Sequence, residues 1–106
     1  MYEVNACINL NLYRVFYCVA KEKSISKAAK KLYISQPAIS KSLKKLEEEL
    51  DVELFTRSLN GVILTEAGKM LFQYVEKAGK EIMMAERALK GYKYNLKEAE
   101  TNWYVI

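Results

Sequence analysis

Between residues 36 and 45 the chain carries Gln36, Pro37, Ser40, Lys41, Lys44 and Lys45. These side chains suit contact with a nucleic acid. Glutamine can bond an adenine edge bidentately, serine can meet either base type or a phosphate, and lysine can reach guanine or the backbone. On a helix, Gln36, Ser40 and Lys44 form one row and Pro37, Lys41 and Lys45 the next, so all six share a face. No carboxylate interrupts that face before Glu47. A solvated lysine face on an ordinary packed helix has the same pattern, so the surroundings of this stretch must separate the two readings.

Other chemistry is poorly supplied. The 106 residues contain no histidine, which removes His-based triads, most zinc sites and the usual general base. There is no Gly-rich phosphate loop, and the acids between residues 47 and 53 cluster at a helix end, as a solvated acidic turn does. No catalytic residue, metal ligand or cofactor is expected, and the chain does not read as an enzyme. Cys7 and Cys18 are isolated and lack metal-like spacing, so they are read as reduced thiols of a cytoplasmic protein. No apolar run approaches the roughly 20 residues of a membrane span, and the first residues lack the basic and apolar regions of a secretory signal. The formal net charge is +4, but its distribution is more telling. Residues 21–45 hold eight lysines against one acid, Glu22, whereas residues 46–53 hold five acids and no base. A cationic patch this concentrated fits an anionic partner, of which double-stranded DNA is the natural one.

The elements that must position these residues follow from periodicity. Ser35 is placed to cap a helix and Pro37 to occupy its first turn, where a missing N–H costs nothing. Ile39, Leu43, Leu46 and Leu50 make its apolar stripe. Upstream, Leu12, Val15, Phe16 and Val19 mark a helix over residues 10–22, with Tyr13, Tyr17 and Cys18 as packing or surface residues. Ser24 or Ser26 caps a second short helix through about Leu32. Its inner face is Ile25, Ala28, Ala29 and Leu32, and Lys27, Lys30 and Lys31 point outward. Tyr33 and Ile34 connect it to Ser35. Two helices joined this closely, the second polar at its start, form a helix-turn-helix.

Beyond Leu50 the pattern changes. Asn60-Gly61 is a turn signal with β-branched residues after it, and residues 54–57 are expected to pair with 62–64 in a small hairpin, or wing. Arg57 on the wing is placed either to reach a phosphate or adjacent minor groove or to pair with the acids at 47–53. Thr65 caps a last helix, with Glu66 at its positive end. That helix is expected to run from Glu66 to at least Tyr92. Val75, Ile82, Leu89 and Leu96 repeat in heptads, with Leu71, Ala78, Ala85 and Tyr92 in the second register. Such a seam predicts a homodimer, with Ala78 and Ala85 permitting close approach. The alternative is that only the first turns pack on the domain. The expected organisation is thus an N-terminal arm over 1–9, a winged helix-turn-helix over 10–65, a dimerisation helix over 66–95 and a tail of unassigned order over 96–106. In class it is mostly α, a three-helix core plus a two-stranded wing, followed by a long helix.

The run from Ser24 to Glu47, with Leu54-Phe55-Thr56-Arg57 and Leu64-Thr65-Glu66-Ala67-Gly68, strongly resembles the N-terminal domain of LysR-type transcriptional regulators over roughly residues 10–92. The resemblance implies a winged helix-turn-helix with a linker helix that dimerises antiparallel. It also implies that Gln36, Pro37, Ser40 and Lys41 face bases and backbone, that Arg57 touches DNA from the wing, and that Ser35 and Thr65 meet phosphate. Ser26, Lys44 and Lys45 complete the expected DNA-binding set, and Leu71, Val75, Ala78, Ile82, Ala85, Leu89 and Tyr92 the dimerisation set. Members of the family carry an effector-binding domain of two α/β lobes after the linker. These residues could not encode one, so a small-molecule effector is implied only if a parent protein supplies that domain. The leading expectation is a sequence-specific DNA-binding domain acting as a homodimer on a partly symmetric promoter site. The alternative is a protein-interaction or dimerisation module of a larger regulatory assembly, in which a wing beside a Gln-Pro helix start has no obvious use.

Overall fold

The computed structural model describes residues 8–91 and 103–104. Helix α1 (Leu10–Glu22) starts at Asn9, whose side-chain oxygen accepts the Asn11 amide at 3.1 Å. Helix α2 (Ile25–Leu32) is capped by Ser24 through the Lys27 amide at 3.1 Å, so Ser24 rather than Ser26 is the cap. Helix α3 (Gln36–Leu50) is capped by Ser35 and carries Pro37 in its first turn. Strands β1 (Phe55–Ser58) and β2 (Gly61–Leu64) form the antiparallel wing. Helix α4 (Glu66–Leu89) follows Thr65. The order is the one expected, and the architecture is a mostly helical winged helix-turn-helix with a long final helix.

Two boundaries differ from expectation. The hairpin pairs Phe55 with Leu64 and Ser58 with Gly61, leaving Leu59 and Asn60 as the turn. Leu54 is excluded because its amide bonds the Glu47 side chain at 2.7 Å, which ties it to α3. Gly61 belongs to the strand: its φ is 132°, and a Cβ there would run into the Lys23 carbonyl, so the wing docks on the end of α1 only with glycine at this position. Helix α4 also differs: it stops at Leu89 and does not run on to Tyr92 as expected. Gly91 has φ 77°, a left-handed conformation that leaves the helix. Tyr92 and Leu96 lie outside the described residues, as do residues 1–7 of the arm and all of the tail save 103 and 104.

Helix α1 is the centre of the core. Val15, Phe16, Cys18 and Val19 are completely buried and Tyr17 nearly so. A simple amphipathic stripe does not bury a continuous run of helical residues; α1 does so because it is covered on two sides. On one side lie α2 and α3, with Phe16 against Phe55 at 5.4 Å between ring centres. On the other lie α4 and the end of the chain. Tyr17 stacks on Phe72 at 4.7 Å and meets Trp103 at 4.8 Å and Tyr104 at 5.0 Å. Each such ring pair adds about 1 kcal/mol beyond area burial. Trp103 fits only because residue 79 is glycine, since a Cβ would lie inside its indole ring. Arg14 donates from Nη1 to the Tyr104 carbonyl at 3.3 Å, which holds the segment in place.

The buried polar groups of this side stay neutral. The Tyr17 hydroxyl donates to Glu76 at 2.7 Å. Burial first, then the bond to and charge of Glu76, hold its pKa far above the usual phenol range. Burial, and secondarily Glu22, push the Cys18 thiol up to about 11, so it is protonated at neutral pH and a poor nucleophile.

Candidate nucleic-acid interface

Helix α3 is built so that one side must face water. Ile39 and Leu46 are fully buried and Leu43 nearly so. Only Leu50, at the end of the stripe, surfaces. Burying these side chains stabilises the helix by roughly 2 kcal/mol each and fixes its rotation. On the far side, Gln36, Pro37, Lys41, Lys44 and Lys45 are exposed and Ser40 is half-buried. From Gln36 to Lys45 this face is about 14 Å long, and a helix of this width fits a major groove about 12 Å wide.

The charges on and around this face are unspent. Among the described residues, Lys31 pairs with Glu22 at 2.9 Å and Lys69 with Glu66 at 3.4 Å. Lys27, Lys30, Lys41, Lys44, Lys45 and Arg57 have no ion pair there. Arg57 is exposed on β1, and no pair with the acids at 47–53 forms among the described residues. Lys31 is the exception in the basic segment. Its hydrogen bond to Glu22, then the charge of Glu22, raise its pKa and hold the ammonium against α1.

The hydroxyls divide into two groups. Ser35 Oγ accepts the Ala38 amide at 3.2 Å, which leaves its proton free to donate outward. Ser26 is exposed, with Oγ 3.5 Å from that of Ser24. Thr65 is used internally: Oγ1 donates to the Glu53 carbonyl at 2.6 Å and accepts the Gly68 amide at 3.0 Å. A phosphate bond donated by Thr65 would therefore cost an existing bond.

Sequence reasoning missed the residue that ties wing to helix. Glu47 Oε2 accepts the amides of Leu54 at 2.7 Å and Phe55 at 3.3 Å. In the sequence it is one member of an acidic run. The available signal was its place four residues after Leu43, at the margin of the buried stripe. Through Glu47 the position of the β1 strand, and so of Arg57, is referred directly to α3.

The expected dimerisation residues also divide. Val75 is buried in its own domain and Leu71 is half-buried against the core. Ala78 and Ala85 are exposed, Ile82 is 52% exposed and Leu89 is 88% exposed. Leu10, Tyr13, Val75, Ala78, Ile82 and Trp103 help to line an apolar groove of about 620 Å³ between α1 and α4.

A family model described as the bacterial regulatory helix-turn-helix protein, lysR family, matches residues 10–69, from the start of α1 into the first turn of α4. The chain belongs to this family. A RuBisCO operon transcriptional regulator of Allochromatium vinosum is 38% identical over 86 residues, 81% of this chain and 28% of that protein. The HTH-type transcriptional regulator BudR of Klebsiella aerogenes is 42% identical over 83 residues, 78% of this chain and 56% of that one. The fold matches the crystal structure of the BenM_DBD/benA site 1 DNA complex with a TM-score of 0.73 and 35% identity, covering 78% of this chain and 96% of that one. The LysR-type chain thus spans under a third of the length of the Allochromatium regulator and just over half of BudR. Its relatives are transcriptional regulators, not enzymes. Among the described residues no helix is long and apolar enough to cross a membrane.

Proposed function

We propose that this LysR-type helix-turn-helix domain binds double-stranded DNA as a homodimer in the cytoplasm and reads a partly symmetric promoter site. The observation that carries the reading is the orientation of α3: its leucines are buried while Gln36, Lys41, Lys44 and Lys45 are exposed and, among the described residues, without ion pairs. Gln36, Pro37, Ser40 and Lys41 enter the major groove, and Gln36 and Ser40 read base edges. Ser26, Ser35, Lys44, Lys45 and Arg57 bind the phosphate backbone, and Thr65 serves the interface by setting the start of α4. The BenM domain, whose fold matches and whose structure is a complex with DNA, supports the same docking.

Binding to a promoter duplex and to a scrambled duplex, by fluorescence anisotropy at several salt concentrations, tests this. Affinity falls steeply with salt because each phosphate contact releases a counterion. Gln36→Ala narrows the gap between the two duplexes by roughly tenfold, the worth of one bidentate contact. Arg57→Ala weakens both alike. A salt-insensitive complex, or none with any duplex, contradicts the reading and favours the protein-interaction module.

The dimer forms through the exposed part of α4, where Ala78, Ile82, Ala85 and Leu89 repeat along one face. Leu71 and Val75 continue that face but also anchor the helix to its own body. Tyr92 extends the proposed seam beyond the described residues. Sedimentation of the full chain gives twice the monomer mass, and Ile82→Glu gives the monomer with an unchanged helical spectrum, because a carboxylate has no partner in an apolar seam. A monomeric parent chain at micromolar concentration contradicts the dimer.

A small-molecule effector is a property only of a parent protein that carries an effector-binding domain.

A further inference from the structure

We propose that Tyr33, in the turn between α2 and α3, is a DNA-backbone contact whose phenol donates a hydrogen bond to a phosphate oxygen beside the start of α3. The inference rests on the DNA-binding reading above.

Tyr33 has φ 57° and ψ 40°, the left-handed conformation. Glycine and asparagine are the usual residues there, because a Cβ crowds the neighbouring carbonyl. The turn is locked: the amides of Tyr33 and Ile34 both return to the Ala29 carbonyl, the second at 3.2 Å. Ile34 packs against the core. The Tyr33 side chain is directed the other way and is 90% exposed. Among the described residues it makes no hydrogen bond, ion pair or ring contact.

A large aromatic residue in this conformation, left almost wholly in solvent, is disfavoured by folding alone, and strain of this kind points to a function outside the fold. The other two non-glycine left-handed residues among those described, Lys23 and Asp51, also end helices, but both are polar. Tyr33 alone among them presents an aromatic ring. Its neighbours supply the setting. Ser35, two residues on, has a free hydroxyl proton. Lys30, one turn back on α2, is exposed and lacks an ion pair among the described residues. Three donors of different reach thus fall between residues 30 and 35, in and on either side of the turn that leads into α3. Tyrosine hydroxyls are regular donors to phosphate, and such contacts set orientation without reading sequence.

The test uses the full chain, a promoter duplex and a scrambled duplex of equal length, and the variants Tyr33→Asn and Tyr33→Phe. Asparagine is expected to melt at the parent temperature or above and to bind both duplexes roughly tenfold more weakly. Phenylalanine is expected to lose most of the same affinity, because the hydroxyl makes the bond. Phenylalanine binding as tightly as tyrosine overturns the proposal, as does asparagine with unchanged affinity or a loss confined to the promoter duplex. A lower melting temperature for Tyr33→Asn overturns the premise that the ring has no role in folding. A parent chain that binds neither duplex instead overturns the DNA-binding reading, and the Tyr33 contact with it.

Discussion

Replacing Lys41, Lys44 and Lys45 together by alanine is expected to weaken duplex binding at least a hundredfold near physiological salt and to leave the fold intact. The three ammonium groups sit on the exposed face of α3, without ion pairs among the described residues, so their loss breaks nothing inside the protein. Alanine is also the better helix former, which offsets any lost side-chain packing. The cost falls on the complex. Each phosphate neutralised by a lysine contributes about 0.9 to the slope of log affinity against log salt, so losing the two backbone contacts proposed for Lys44 and Lys45 should flatten that slope by roughly 1.8. Anisotropy titrations across a salt series measure both quantities, and thermal melting confirms the fold. An unaltered slope would place these lysines in solvent in the complex and return α3 to an ordinary basic surface.

Leu46→Ala, on the opposite side of the same helix, is expected to have the opposite signature. Leu46 is fully buried, in the cluster that joins α3 to α1. Removing its side chain costs about 3 kcal/mol in lost transfer energy and cavity formation. Against a total stability of roughly 5–15 kcal/mol for a domain, that is a large fraction, and the thermal midpoint should fall by roughly 12 °C. The folded fraction retains every side chain proposed to face DNA, so at low temperature affinity and its salt slope are expected to stay near those of the parent. Denaturation followed by circular dichroism, paired with binding in the cold, separates the two effects. A destabilised protein that also loses its salt slope would show that the leucine shapes the interface and does not merely hold it.

These two residue classes alternate along one helix, which is why so much of the geometry of the candidate interface could be read from the order of residues. Ser35 as the cap of α3, Pro37 in its first turn, and the division of Ile39, Leu43 and Leu46 from Gln36 and the lysines all depend on groups a few residues apart. The same holds for the bounds of α1 and α2. Where distant parts of the chain meet, the sequence is a poorer guide. The strands shift by a residue because Glu47 bonds the amide of Leu54 and because Gly61 must approach Lys23. Tyr17 and Cys18 join the core because α4 and Trp103 cover a face of α1 that periodicity leaves open. Val75 and Leu71 have heptad spacing that suits an outer partner and their own domain equally well.

Residue order alone is enough for α1, α2 and α3, the basic outward face of α3, the existence of a wing and the family resemblance. Helical hydrogen bonds and side-chain period are local, and they leave their mark in neighbouring residues. Packing across the fold sets which carboxylate ties wing to helix, which hydroxyls remain free, the end of α4 and the register of the wing, and it brings Trp103 and Tyr104 back to α1. Those outcomes depend on contacts between residues up to 90 positions apart, and no spacing along the chain records which distant surfaces will close on one another.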